Sequence, residues 1–148
     1  METVWVAEWV YGLLAADTAL TALVGARIYS AAAPAKAAMP YVLYSLQAGR
    51  DVLGVGTTRV VTHLTLLVKA VGEGQSFRAL QPIADRIDAD LNGASGSVTG
   101  DAGPGAEILS CVRTAPVAYP EIQEGKQYRH LGGLYQIVAT NRGPAPAP

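Results

Sequence analysis

The side chains able to do chemistry are few in this chain of 148 residues, and they are scattered: His63, His130, the single Cys111, and the carboxylates Asp85, Asp88 and Asp90 around Arg86. A histidine titrates near neutrality and serves as general base or metal ligand when a second group orients it or shares its ion. The strands that hold His63 and His130 offer no acidic or cysteine partner at ligand spacing, so both read as surface or interface residues. Asp85 and Asp88 can share one side of a helix, where paired carboxylates bind a cation or act as acid and base. The plainer expectation for them is a solvated helix face. One cysteine makes neither an intrachain disulfide nor a multi-cysteine metal site, and among apolar neighbours Cys111 reads as a small buried hydrophobe.

The glycine-rich stretches fail as phosphate cradles. "GVGTTR" lacks the third glycine of a dinucleotide fingerprint and leads into a strand, while "GDAGPG" has no Gly-Lys-Ser/Thr ending. No serine sits in a nucleophile elbow. Without a constellation for catalysis, and with no cofactor or metal motif, binding or assembly is the expected role.

Charge narrows the partners. Lys and Arg number 11 against 12 Asp and Glu, a formal net charge of −1, which offers no basic surplus for gripping the phosphates of nucleic acid. The start Met1-Glu2-Thr3 has no basic region, and Glu8 and Asp17 interrupt the apolar stretch behind it, against a signal peptide or a membrane span. Half of the residues are hydrophobic, enough for one core. The expected organisation is one domain over residues 1–143 with an extended Pro/Ala tail at 144–148.

The elements that must position these residues follow from periodicity. Val6, Trp9, Val10 and Leu13 recur at helical spacing from Thr3 to Ala16, and Asp17 or Thr18 caps a second short helix that Gly25 ends. A short strand at Arg27-Ile28-Tyr29 and a surface loop from Ser30 to Pro40 come next. Tyr41 to Ala48 is apolar on both faces, as in a covered strand. Thr58 to Val71 alternates, with Val60, Thr62, Leu64, Leu66, Val68 and Ala70 on the core side. Gly49 to Thr58 reads as a mobile hairpin loop.

Phe77, Leu80, Ala84, Ile87 and Leu91 predict an amphipathic helix capped by Ser76 and ended near Asn92-Gly93, with Pro82 kinking its first turns or marking a late start. Asn92 to Gly105 reads as a linker. Two strands, Ala106 to Val117 and Gln127 to Thr140, are expected on either side of a polar "AYPEIQEGK" connection, the second broken at Gly132-Gly133 by a bulge or turn. The class is α+β: an antiparallel or mixed sheet packed against an N-terminal helical segment and one central amphipathic helix.

"LLAADTALTALVGARIYSAAAPAKAAMPYVLYSLQAGRD", Leu13 to Asp51, resembles the opening of the phage tail-completion, or tail terminator, family of long-tailed phages, prophages and gene transfer agents. The likeness continues through "LLVKAVG" and "ALQPIADRIDADLNG", from about Trp9 to Ala139, and is weakest in the glycine-rich stretch and beyond it. It implies a structural virion protein rather than an enzyme: a homo-hexameric ring at the head-proximal end of the tail. Its implied partners are other copies of itself, the tail tube protein and the head-tail connector protein. Genome DNA would pass through the lumen without specific binding, and no membrane is involved.

On that reading, Arg50, Asp51 and Arg59 flank a projecting loop and are expected to contact an adjacent subunit or the tube. Three alternatives compete. One is another ring of the head-to-tail neck. A second is a small-molecule binding domain around Tyr29, Tyr41 and Tyr44, and the third is an enzyme using Asp85, Asp88 and a histidine.

Overall fold

The computed structural model describes residues 1–99 and 104–142. Its elements are helices α1 (Glu2–Ala16), α2 (Thr18–Val24) and α3 (Phe77–Leu91), and strands β1 (Ile28–Ser30), β2 (Tyr41–Leu53), β3 (Arg59–Glu73), β4 (Gly96–Thr99), β5 (Gly105–Gln123) and β6 (Lys126–Arg142). The strands make one six-stranded sheet in the order β1-β2-β3-β6-β5-β4. Among the described residues only the β1–β2 pair is parallel. This is the α+β arrangement expected from the alternation of helical and period-two patterns.

The helices sit on one side of the sheet. Val6, Val10 and Leu14 of α1, Leu20 and Val24 of α2, and Leu80, Ile83, Ile87 and Leu91 of α3 form one core with Leu64, Leu66 and Val68 of β3 and Tyr135 and Ile137 of β6. The caps are those the residue types dictate. Asp17 accepts from the Ala19 amide at 2.9 Å and Ser76 from the Ala79 amide at 3.2 Å, meeting helix-end donors that have no intrahelical partner. Gly25 at φ 61° ends α2 in a conformation a side chain would strain. Helix α3 begins at Phe77, so Pro82 lies inside it and does not delay its start.

Three expectations about connections are corrected. Gly49 to Leu53 is not loop: β2 runs on, pairing Gly49 with Leu64, Arg50 with His63 and Asp51 with Thr62, which leaves only Gly54 to Thr58 as the turn. The expected linker contains β4, which pairs with β5 from Gly96↔Ile108 to Thr99↔Gly105. "AYPEIQEGK" is strand on both arms of a hairpin, with Gln123 facing Lys126 and a turn at Glu124-Gly125. In each case the ladder hydrogen bonds of a neighbouring strand outweigh weak local propensity.

Gly132 and Gly133 do not interrupt β6, whose pairing with β3 passes through both in register. A methyl at Gly132 would collide with the Val68 carbonyl oxygen and come within 2.9 Å of the Lys69 Cβ, so here the glycine marks close strand approach. The register shifts of this pair lie on β5, between Ile108 and Ser110 and, opposite the glycines' end of β6, between Arg113 and Ala115. The expected Pro/Ala tail at 144–148 falls outside the described residues.

Candidate functional site

The distal end of the β2–β3 hairpin carries the three residues singled out from the sequence, and the structure divides them. Asp51 accepts from the Thr62 hydroxyl at 2.8 Å and lies 3.6 Å from Arg59. Arg59 also reaches Glu2, at 3.1 Å. Arg59 is therefore a strap that ties the hairpin to the first turn of α1. Glu2 was not legible as a partner, because nothing local marks a first-turn glutamate for a strand far along the chain. Arg50 stands next to Asp51 in sequence and points to the other face, opposite His63. It has no ion-pair partner among the described residues.

The hairpin end is also unusually apolar for a surface. Val55 is fully exposed, and Leu53 and Val60 are more than half exposed. Val60, expected on the core side, is instead exposed at a register irregularity, left unpaired between the Val52↔Val61 and Leu53↔Arg59 pairs where the strict alternation of β3 stops. Met1 and Val4, exposed at the start of α1, come to this end through the Arg59–Glu2 pair, and Leu46 is exposed farther along β2. Such clustering marks an interaction surface more often than a solvated tip.

Both edges of the sheet are only partly covered. Strand β1 covers β2 from Val42 to Tyr44, and from Ser45 to Leu53 the outer edge of β2 has no strand beside it among the described residues. On the other side β4 covers β5 only from Gly105 to Ile108. The Cys111 carbonyl accepts from Gly93 at 2.7 Å and the Arg113 amide donates to Asn92 at 3.0 Å. Beyond them Pro116 and Pro120 stand in the same outward phase. Neither has an N–H, which blunts this edge against strand addition.

The remaining candidates do not converge on chemistry. Asp85 and Asp88 belong to the helix side, whereas His63 and His130 point from the opposite face of the sheet, so the sheet separates them. Asp88 accepts from the Tyr135 hydroxyl at 3.0 Å and pairs with Arg113 at 3.4 Å, while Asp85 borders an open groove of about 620 Å³ with Phe77, Arg78, Gln81 and Arg113. The carboxylate face is thus partly structural, not wholly solvated as expected. Asp17 holds Arg86 at 2.8 Å, and Asp90 lies 3.7 Å from the same guanidinium. The Arg86 hydrogen bond lowers the Asp17 pKa, whereas burial, with Asp17 next to it, raises that of Asp90 to about 6.

His130 corrects a second expectation. It is buried rather than at the surface, bonded to Glu121 at 2.7 Å and stacked on Tyr119 at 4.4 Å, with the Lys69 ammonium donating to the Tyr119 hydroxyl at 2.6 Å. Its pKa is lowered, first by burial and then by the Lys69 charge. Glu121 comes from the connection expected to be loop, which is why the sequence hid the pair. Cys111 is buried, and burial pushes its thiol up to about 12. Tyr29 and Tyr41 meet edge to face at 5.6 Å, but Tyr44 turns inward on the opposite side of β2, so the three build no common pocket.

No group of three metal-binding side chains is gathered among the described residues, and no single helix there is long and apolar enough to cross a membrane. The family model described as tail completion protein gp17 matches residues 8–114. Among solved structures the chain is similar to one in the virion of a native gene transfer agent particle: 22% identity, TM-score 0.61, covering 88% of this chain and 92% of that one. At that identity the likeness is one of fold. None of the curated proteins matches.

Proposed function

This chain belongs to the tail completion protein gp17 family, and from that premise we propose that it is a tail terminator. Copies form a ring, sixfold, on the head-proximal end of the tail tube, stop tube polymerisation and present the surface to which the head attaches. The family match over residues 8–114 carries the reading. The apolar hairpin tip and the uncovered β2 edge support it, since a protein that works by assembly needs surface of this kind and no reactive centre. A net charge of −1 suits a lumen through which DNA slides without being held.

Arg50, Asp51 and Arg59 have separate parts in this reading. Arg50 meets the neighbouring subunit or the tube, and the Asp51–Arg59–Glu2 chain stiffens the hairpin that presents it. The test is tube capping with purified tail tube protein. Tubes grown with this protein stop at a set length with density at one end, and Arg50→Ala weakens capping without lowering the melting temperature. Binding to the portal-side protein with no effect on tubes would overturn the terminator role in favour of another ring of the neck.

A further inference from the structure

We infer that neighbouring copies join through one continuous sheet: the distal edge of β2 in one copy adds to the outer edge of β4 in the next, in parallel. The inference rests on the proposed self-assembly and names the surfaces that carry it. Tracing the register across the sheet, Gly96 faces Ile108, which faces Ala139, then Thr62, then Asp51. The two edges at this end of the sheet, neither with a strand beside it among the described residues, therefore stand level with each other on its opposite sides. Four antiparallel steps separate β2 from β4, so the two strands run the same way. Copies related by rotation would bring them together in parallel, a head-to-tail contact that closes into a ring when the rotation permits.

The occupant is a second copy for a further reason. On β2, the alternation that turns Val42 and Tyr44 toward β1 continues past the bulge near Gln47, so that Gly49 and Asp51 turn their backbone groups outward. This edge has no proline to block it, whereas Pro116 and Pro120 exclude the lower part of β5 and leave β4 as the strand able to receive it.

The experiment is disulfide trapping in the full chain with Cys111→Ala. One residue beyond the Asp51–Gly96 level, Val52 and Ser97 would be neighbours, and each is replaced by cysteine. Oxidation of the assembled double variant, alone or on tube ends, gives a covalent ladder rising to the closed ring. Either single variant gives no ladder, and a mixture of the two gives dimers alone. Val52→Cys with Ala118→Cys, on the proline-blocked edge, links nothing. Rings seen by mass or microscopy in which the Val52/Ser97 pair forms no link would overturn the edge assignment while leaving the ring intact. A chain that stays monomeric both alone and with tube protein would remove the ring reading and this inference with it.

Discussion

At the scale of single residues, the interactions with most consequence are long-range polar ones that join elements. Asp17 is both the cap of α2 and the partner of Arg86 on α3, so it fixes one helix end and the packing of two helices at once. Asp90 is held beside them with its pKa raised to about 6. A carboxyl whose folded pKa lies above its unfolded value binds more protons when folded, so its contribution is complete below the ordinary value of 3.8 and is lost as pH rises through about 6. Asp17 has the opposite sign: its folded pKa is lowered, and its contribution is lost as pH falls. Asp90→Asn should therefore remove the decline in stability on raising pH from 4 to 6, leaving the Asp17 effect at lower pH. Urea midpoints of both proteins across that window check it. His130 adds a further slope. Its lowered pKa means stability is lost as pH falls below 6.5 toward the folded value.

At the scale of elements, two glycines make opposite demands. Gly12 lies within α1, exposed, and a methyl there would meet nothing within 4 Å. A helix-interior glycine costs about 0.5–1 kcal/mol relative to alanine, so Gly12→Ala should stabilise the free chain by about that amount. Gly132→Ala places its methyl against the β3 backbone, where yielding means separating two central strands. It should destabilise by roughly 3 kcal/mol or more, with loss of native β-structure by circular dichroism. A helical glycine that nothing in its own fold requires, on the exposed face of a helix carrying Val4 and Tyr11, is consistent with close approach by another chain.

At the scale of the whole molecule, the sheet has two kinds of edge. Part of it is left open, and part is closed by prolines. Replacing Pro116 and Pro120 by valine restores two outward donors over a strand that already has an exposed Ile122. The double variant should self-associate more than the native chain, read as a higher mass by light scattering at equal concentration. Unchanged mass would mean that the twist of this hairpin, not its prolines, protects it.

The sequence by itself determined the type of most elements, a cap at Asp17 or Thr18 and another at Ser76, the stop at Gly25, the buried Cys111 and the core side of β3 from Thr62 to Ala70. Each depends on residues within a few positions of one another, where helical or strand spacing decides which side faces inward. The order of the elements other than β4, and the resemblance to a tail-completion family, were legible as well. The continuation of β2 through Gly49 to Leu53, the strand inside the supposed linker, the His130–Glu121 pair and the Arg59–Glu2 strap were decided by tertiary structure alone. Their partners lie on other strands or at the far end of the chain, and hydrogen bonds across a sheet can order a glycine-rich or polar segment whose own residues give it little reason to be a strand. The separation of the histidines from the Asp85–Asp88 pair was decided in the same way, because alternation tells which residues share a face but not which face receives the helices.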